Sequence, residues 1–296
     1  MTTPAFTSGS DESALRLLDW ISLAAPGLIW GSSFFLIAEG LETFHPAFIG
    51  WFRMIVGLGV LSVFPASRRR VEAAARTRLW ALGLFWMAAP LTLFAFAQDR
   101  ITSSLAGMLN TLNPVLTVLV AFLWLGRRPG LQRVIGVSVG TVGGVMIAAP
   151  TLGAGSSSVA GILMAFAAVC CYGVAYNIAG PLQRTVGAIP TVHRALAAAV
   201  VLATPTGLWG LAESSFSWRS TGAVVVLGAF STGVAYVWMA WNAGRLGVAR
   251  AATTNYMIPV VSILLGVGLR GESVAMLALI GTLVTVTGAW QVNRSA

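Results

Sequence analysis

The sequence predicts an all-α integral membrane protein whose ten transmembrane helices form two inverted five-helix repeats. Three observations support this prediction. Apolar residues make up 57% of the 296 residues and charged residues only 9%, whereas an ordinary soluble domain carries about 25% charge. The apolar residues form ten runs long enough to cross a bilayer. The second half of the chain also repeats the first at a nearly constant offset.

Each of the ten apolar runs comes close to the roughly 20 residues that a helix needs to cross the hydrocarbon core. The runs do not alternate between apolar and polar residues, as membrane strands do. The predicted spans are residues 20–38, 46–65, 79–98, 102–125, 132–150, 159–179, 190–211, 220–242, 247–269 and 274–292. They define a tail at 1–15, a first unit at 16–150, a linker at 151–158 and a second unit at 159–294.

Arginine placement predicts how the chain is oriented in the membrane. All 18 basic residues are arginine, which favours a bacterial source with a GC-rich genome. If the N-terminus is cytoplasmic, thirteen arginines fall on the cytoplasmic side, three on the other side and two within spans. This bias predicts a bacterial inner-membrane protein with both termini in the cytoplasm. Residues 1–15 lack a signal-peptide pattern and are expected to be a disordered cytoplasmic tail.

An internal repeat relates the two halves of the chain. Adding 145 to a position in the first half repeatedly reaches the same residue type in the second. The matched pairs are Leu82 and Leu227, Gly83 and Gly228, Arg100 and Arg245, Asn110 and Asn255, Pro114 and Pro259, Gly126 and Gly271, Gly136 and Gly281, and Gly143 and Gly288. Because each unit has an odd number of spans, the second enters the membrane from the opposite face, as in many secondary transporters.

Two of these matches place an asparagine four residues before a proline inside an apolar span. Proline cannot donate to the carbonyl four residues earlier, so Pro114 leaves the Asn110 carbonyl without its helical partner, and Pro259 does the same to Asn255. Such breaks survive in a bilayer only where protein or water satisfies them. We expect both prolines to act as hinges and both breaks to face a shared cavity. The alternative is a pair of kinks that merely shape the bundle.

Polar and aromatic residues within the spans are candidates for a binding site. A pocket with aromatic walls and amide groups would suit a small amphipathic solute. The candidate substrate-binding residues are Trp30, Ser33, Arg53, Trp86, Asn110, Asn113, Tyr172, Tyr176, Trp238, Trp241, Asn255 and Tyr256. Aromatic stripes in membrane helices also serve as packing surfaces or interfacial belts, and that alternative stays open for these rings.

Arg53 is the only charged residue near the middle of the spans of the first unit. A charge at that depth is costly unless it is paired or hydrated, so it is a functional candidate by default. It could hold a substrate carboxylate or the carbonyls of helix ends. It could equally brace a neighbouring helix or extend to the membrane interface.

The remaining composition argues against enzymes, metal sites and nucleic-acid binding. None of the nine carboxylates lies near the centre of a span, and the two histidines are far apart. Paired acids and metal-ligand clusters are therefore missing from the sequence. No basic patch interleaved with aromatics appears. We expect no catalytic residues, no metal and no cofactor, with a small-molecule substrate and the lipid bilayer as partners. A facilitator or exchanger is favoured because the spans lack a central titratable acid.

Several stretches resemble the drug/metabolite transporter superfamily, and specifically its EamA family. They are "IWGSSFF" at 29–35, "PAFIGWFRMIVG" at 46–57, and residues 103–147 and 249–290. The order and doubling of these motifs carry the resemblance to the family. Within the superfamily the chain looks most like the YddG group of bacterial amino-acid exporters. The family usually ends its fourth helix with Gly-Glu-Arg. This chain has Arg127 at the glutamate position of the first copy but keeps Glu272 in the second.

The resemblance implies export of amino acids, aromatic or broader, by alternating access around a central cavity. Other members carry nucleotide sugars, phosphorylated sugars or drugs. A phosphate-binding pocket would be expected to contain several basic residues, whereas this chain offers Arg53 alone. Two alternatives stay open at this point: an exporter of drug-like amphipathic compounds, and a membrane receptor or assembly protein that does not transport.

Overall fold

The computed structural model describes residues 17–126, 128–153 and 155–294, and the tail predicted at 1–15 lies outside them. Within the described ranges the ordered elements are helices, and ten of them are long and apolar enough to cross a membrane. They are α1 Leu17–Gly40, α2 Pro46–Val63, α3 Ala73–Gln98, α4 Ser103–Leu125, α5 Leu131–Leu152, α6 Ser156–Val186, α7 Ala188–Ala212, α8 Trp218–Leu246, α9 Arg250–Arg270 and α10 Met276–Arg294. The ten predicted spans are confirmed.

Several helices are longer than the apolar runs that predicted them. The largest difference is in α6, which was expected over 159–179 and extends to Val186. Its last turns carry Gln183 and Arg184, and the helix ends at Gly187, whose φ is 96°. Hydropathy marks the part of a helix that lies in hydrocarbon. Backbone hydrogen bonding continues beyond it into the interface, where polar side chains are tolerated.

The inverted repeat is visible in the irregular turns of the bundle. Two π-helical turns and two 3-10 turns interrupt the α-helices, and each has a counterpart in the other unit. The pairs are Gly83–Ala88 with Leu227–Val234, and Asn110–Leu112 with Thr253–Tyr256. The offset that relates identical residues in the sequence thus also relates departures from α-helical geometry. Since each unit contains five spans, the equivalent turns approach the middle of the bundle from opposite membrane faces.

The two units interlock, so neither has a separate core. Helix α2 packs against α7 and α8, α3 packs against α6 and α7, and α1 packs against α9. One apolar cluster combines Phe34, Phe94 and Leu109 of the first unit with Val169 and Ile258 of the second. The surface shared by the two halves is therefore the protein's interior, and a site at the middle of the bundle has walls from both.

Helices α5 and α10 form a separate pair that supports the rest. They meet along a ridge of small residues, where a Cβ at Gly288 would overlap the backbones of Gly136 and Gly140. Thr285 on this ridge donates its hydroxyl to the Gly281 carbonyl at 2.9 Å. Small residues allow this close approach, which is a common way of holding membrane helices together.

We predict that Gly288→Val destabilises the protein whereas Gly268→Val does not. Both glycines are helical, but a side chain at Gly288 meets backbone atoms and one at Gly268 meets open space. Overpacking of a close interface costs about 1–3 kcal/mol. Thermal unfolding in detergent, followed by tryptophan fluorescence, should give a lower melting temperature for Gly288→Val alone. Equal melting temperatures for the two variants would contradict the packing account.

Candidate functional site

A cavity of about 70 Å³ lies between the two units. Its described lining comes from seven helices, α1, α2, α3, α4, α6, α8 and α9, while the α5 and α10 pair does not contribute. Eight residues that the sequence singled out line it: Trp30, Ser33, Arg53, Asn110, Asn113, Tyr172, Tyr176 and Asn255. The fold thus brings residues from both halves of the chain around one small polar and aromatic space.

Arg53 on α2 supplies the charge in the described lining of this cavity. Only 4% of the residue is exposed. Its Nε donates to Thr232 Oγ1 at 3.1 Å and its Nη2 donates to Ser231 Oγ at 3.3 Å. Within the described residues it makes no ion pair with a carboxylate. Because a guanidinium has five N–H donors and a buried cation is costly without an anion, the site favours a negatively charged ligand group.

The hydroxyls that hold Arg53 belong to the π-helical turn of α8. Ser231 Oγ is also 2.6 Å from Ser33 Oγ, and its carbonyl accepts from Trp30 Nε1 at 3.1 Å. A π turn bonds each N–H to the carbonyl five residues back, and it often marks a functional site. Here the irregular turn of α8 gives the neighbouring helices α1 and α2 polar groups to bind. This turn therefore positions the guanidinium.

The aromatic rings around the cavity contact one another in a continuous row. Tyr236 packs edge-on against Trp30 and against Trp86, with ring centroids 5.5 Å apart in each pair. The row continues from Trp86 to Tyr176 and from Tyr176 to Tyr172, at 6.2 Å for each pair. Such offset and edge-to-face packing fixes ring orientation. The cavity thus has an aromatic wall, formed by Trp30, Tyr172, Tyr176 and Tyr236 and backed by Trp86.

Asparagines on α4 and α9 form the amide part of the lining. Asn113 Nδ2 donates to Asn110 Oδ1 at 2.9 Å, whereas Asn113 Oδ1 is buried without a partner in the described residues. The expectation of a free Asn110 carbonyl was wrong. The helix tightens into a 3-10 turn, so the backbone N–H of Asn113 reaches that carbonyl in place of the N–H that Pro114 lacks. In α4 the groups that line the cavity are therefore the amide side chains of Asn110 and Asn113, and not an unpaired backbone carbonyl.

Four candidate residues lie outside the lining. Trp86 is buried behind it, in contact with Tyr176 and Tyr236. Trp238 donates its Nε1 to Ser22 Oγ at 3.1 Å, and Trp241 is 54% exposed. Both line a separate groove. Tyr256 accepts a hydrogen bond from Asn293 Nδ2 at 2.9 Å.

The π turn of α8 explains which residues sequence reasoning missed. Ser231, Thr232 and Tyr236 of α8 line the cavity, although the candidates from this helix were Trp238 and Trp241. A π turn contains more residues than an α turn, so it changes which later side chains face inward. The sequence did contain a signal for Ser231 and Thr232, which are adjacent hydroxyl residues in the middle of an apolar span. Buried hydroxyls need hydrogen-bond partners, so such a pair indicates a polar site.

At the end of the bundle opposite the termini, ion pairs join the two units. Glu39, 5% exposed at the end of α1, accepts hydrogen bonds from Arg219 Nε at 2.7 Å and from Arg270 Nη1 at 2.6 Å. Arg270 Nη2 also donates to Glu42 at 2.8 Å. One buried carboxylate therefore holds arginines from α8 and α9 against α1. This end of the bundle is closed by charge as well as by packing.

A second link at the same end joins α4 to the loop before α10. The carboxylate of Glu272 accepts four hydrogen bonds from Ser103 and Ser104, two from backbone N–H groups and two from hydroxyls, at 2.5–2.9 Å. Burial alone would raise the pKa of Glu272, but these hydrogen bonds outweigh it and lower the pKa below its usual value. The carboxylate thus caps the N-terminus of α4, where a negative charge is favoured.

At the end that carries the termini, polar contacts join α1 to α8. Arg245 Nη2 donates to Asp19 at 2.6 Å. Ser22 Oγ donates to Asn242 Oδ1 at 2.6 Å, and Asn242 Nδ2 returns a bond to the Ser22 carbonyl at 2.7 Å. Polar contacts therefore join the two units at both ends of the bundle.

Comparison with known proteins places this geometry in a family. A probable terminal-alkyne amino-acid exporter of Streptantibioticus cattleyicolor is 26% identical over 270 residues, covering 90% of each chain. The uncharacterized inner membrane transporter YedA of Escherichia coli K12 is 26% identical, covering 86% of this chain and 83% of its own. A solved crystal structure with 21% identity matches 94% of this chain and 96% of its own at a TM-score of 0.60, which supports the fold.

The EamA-like transporter family matches the chain twice, over residues 20–149 and 159–294. The two matches correspond to the two units that the irregular turns relate. Together they leave out little more than the termini and the segment between α5 and α6. The chain belongs to the EamA-like transporter family.

Proposed function

We propose that this protein is a secondary transporter that exports neutral amino acids, aromatic or broader, or similar small metabolites by alternating access. Membership of a transporter family supports the general activity. The name of the Streptantibioticus relative, a probable exporter of terminal-alkyne amino acids, supports the amino-acid class. The inverted repeat supports the mechanism, since two oppositely inserted units can rock around a site that both share.

The observation that carries this proposal is the buried Arg53 in the cavity. Its partners in the described residues are two neutral hydroxyls, Ser231 and Thr232, and its charge is not neutralised by a neighbouring acid. A substrate carboxylate would supply that charge and would form a charge-assisted hydrogen bond. The aromatic wall beside it would accommodate an apolar side chain. Together these groups fit a small solute that has an anionic end and an apolar end.

The size of the cavity supports a closed state in the transport cycle. A volume of about 70 Å³ is well below the roughly 300 Å³ or more of ordinary ligand pockets. Substrate entry therefore requires the two units to move apart at one end. The contacts of Glu39 and Glu272 at one end, and those of Asn242 at the other, are the interactions that such a movement would exchange.

We further propose a bacterial inner-membrane location with both termini in the cytoplasm. The excess of arginine in the loops on the terminus-bearing side supports this orientation. The name of the Escherichia coli relative, an inner membrane transporter, supports the location. In this orientation the Glu39 and Glu272 contacts lie at the periplasmic end and the Asn242 contacts at the cytoplasmic end, which must open for an exported substrate to enter.

We predict that Arg53→Gln lowers amino-acid transport by about tenfold or more, because a hydrogen bond to a charged group contributes about 1.5–3 kcal/mol. Purified protein in liposomes would be assayed for counterflow of labelled neutral amino acids, such as L-phenylalanine. Arg69→Gln is the matched control, since Arg69 is exposed in the loop between α2 and α3.

The Arg69→Gln control should transport like the wild type, and thermal unfolding of both variants would verify that they fold. Undiminished counterflow by a folded Arg53→Gln variant would show that the guanidinium does not bind substrate. Absence of counterflow by the wild type for every amino acid tested would refute the proposed substrate class.

We predict that the stabilising effect of Glu272 depends on pH. Because its folded-state pKa is lowered, its contribution to stability is fully present above the ordinary value of 4.5 and is lost as the pH falls through the lowered value. Melting temperatures of the wild type and Glu272→Gln should therefore differ near neutral pH and converge in acid. A difference that does not change with pH would contradict the role of the carboxylate charge.

A further inference from the structure

One buried polar atom in the cavity lining is left unexplained by the binding of a carboxylate at Arg53. Asn113 is 8% exposed, and its side-chain Nδ2 is already engaged by Asn110 Oδ1 at 2.9 Å. Its Oδ1 has no hydrogen-bond partner in the part of the chain that the structure describes. Buried polar atoms in native proteins nearly always have partners, so an unpartnered acceptor on a residue that lines a cavity is suited to a donor group of a ligand.

The local structure of α4 gives Asn113 no packing role that requires this oxygen. The backbone of the turn is satisfied without it, because Thr117 Oγ1 donates to the Asn113 carbonyl at 2.7 Å. The neighbouring helix α6 is attached through another amide, that of Asn177, whose Nδ2 donates to the Thr117 carbonyl at 3.0 Å. An asparagine that served only to join helices would use both amide atoms within the protein. Asn113 uses one.

The orphaned acceptor and the unneutralised cation are complementary features of one cavity. Arg53 on α2 offers N–H donors, and Asn113 on α4 offers a carbonyl oxygen, with the ring of Tyr172 also in the lining. In the closed state that the structure represents, Asn113 Oδ1 is buried and inaccessible to water. A ligand bound in a widened cavity could donate a hydrogen bond to Asn113 on α4 and accept one from Arg53 on α2. A cationic group of the ligand would bind at Asn113, and an anionic group would bind at Arg53.

We propose that Asn113 Oδ1 is the acceptor for the α-ammonium group of a zwitterionic substrate whose carboxylate is bound by Arg53. This inference rests on the proposed function and specifies how the site tells an amino acid from a plain carboxylic acid. An ammonium has three N–H donors and no acceptor, which suits a carbonyl oxygen. The ring of Tyr172, which also lines the cavity, can add a cation–π attraction to the bound ammonium. An uncharged acceptor avoids placing a permanent negative charge in the membrane interior when the site is empty.

The proposal predicts a change in ligand selectivity, not a uniform loss of binding. Three probes separate the two ends of the ligand: L-phenylalanine carries both charges, 3-phenylpropionate lacks the ammonium and phenethylamine lacks the carboxylate. Binding of each would be measured in detergent by the shift of the melting temperature with ligand concentration. The wild type should prefer L-phenylalanine to 3-phenylpropionate by about tenfold or more, since an unpaired acceptor disfavours the analogue.

Two variants and one control test this preference. Asn113→Leu should bring the ratio of the two affinities close to one while 3-phenylpropionate still binds. Asn113→Asp should strengthen binding of phenethylamine by about tenfold or more, because it places a carboxylate at the proposed ammonium position. Asn177→Leu, which removes an amide that joins α6 to α4, should leave the ratio unchanged.

The outcomes distinguish this inference from the function on which it rests. If the wild type binds none of the three probes and no other neutral amino acid, the proposed function itself fails. If the wild type binds L-phenylalanine but Asn113→Leu weakens L-phenylalanine and 3-phenylpropionate by the same factor, Asn113 has a structural role and only the ammonium site is refuted. A preserved preference for L-phenylalanine in a folded Asn113→Leu variant would refute it as well.

Discussion

The need to satisfy backbone hydrogen bonds inside the protein shapes this molecule more than any single contact does. Hydrocarbon offers no hydrogen bonds, so a transmembrane helix can depart from α geometry only where protein covers the departure. In the described chain the π and 3-10 turns that interrupt the transmembrane helices occur in matched pairs, within α3 and α8 and within α4 and α9. Three of these four helices, α4, α8 and α9, place residues from or beside the turn in the cavity lining. The irregular backbone and the polar site are consequences of the same requirement.

That requirement also explains how an arginine can be buried at the cavity. The π turn of α8 presents the hydroxyls of Ser231 and Thr232 to the guanidinium of Arg53, while its Ser231 carbonyl binds Trp30. Neutral partners hold the side chain in place without cancelling its charge. The acids of the described chain lie instead near the ends of the bundle, where Glu39 and Glu272 join the two units. Charge is thus neutralised where the units close and left unneutralised where a ligand would bind.

Much of this architecture could be predicted from the sequence, because its causes are local or periodic. Hydropathy predicted the ten spans, and the offset of 145 residues between identical residues predicted the repeat. The Asn–Pro pairs within that repeat pointed to α4 and α9. The π turns could not be predicted, since they depend on tertiary contacts such as that between Ser231 and Ser33. That omission accounts for the absence of Ser231, Thr232 and Tyr236 from the predicted site residues. Similarly, nothing local in the sequence shows that Glu39 will meet Arg219 and Arg270, which are far away along the chain.

The central claim is that a polar cavity accessible to water forms between the two units during the transport cycle. Cysteine labelling of Asn255→Cys with a membrane-impermeant maleimide tests it most directly, in a background where the half-buried Cys170 and Cys171 are replaced by alanine. Val260→Cys is the control, because Val260 is 48% exposed on the lipid-facing side of the same helix. The account predicts that Asn255→Cys reacts and that L-phenylalanine slows the reaction, while Val260→Cys stays unlabelled. An Asn255→Cys variant that never reacts, with or without substrate, would contradict it.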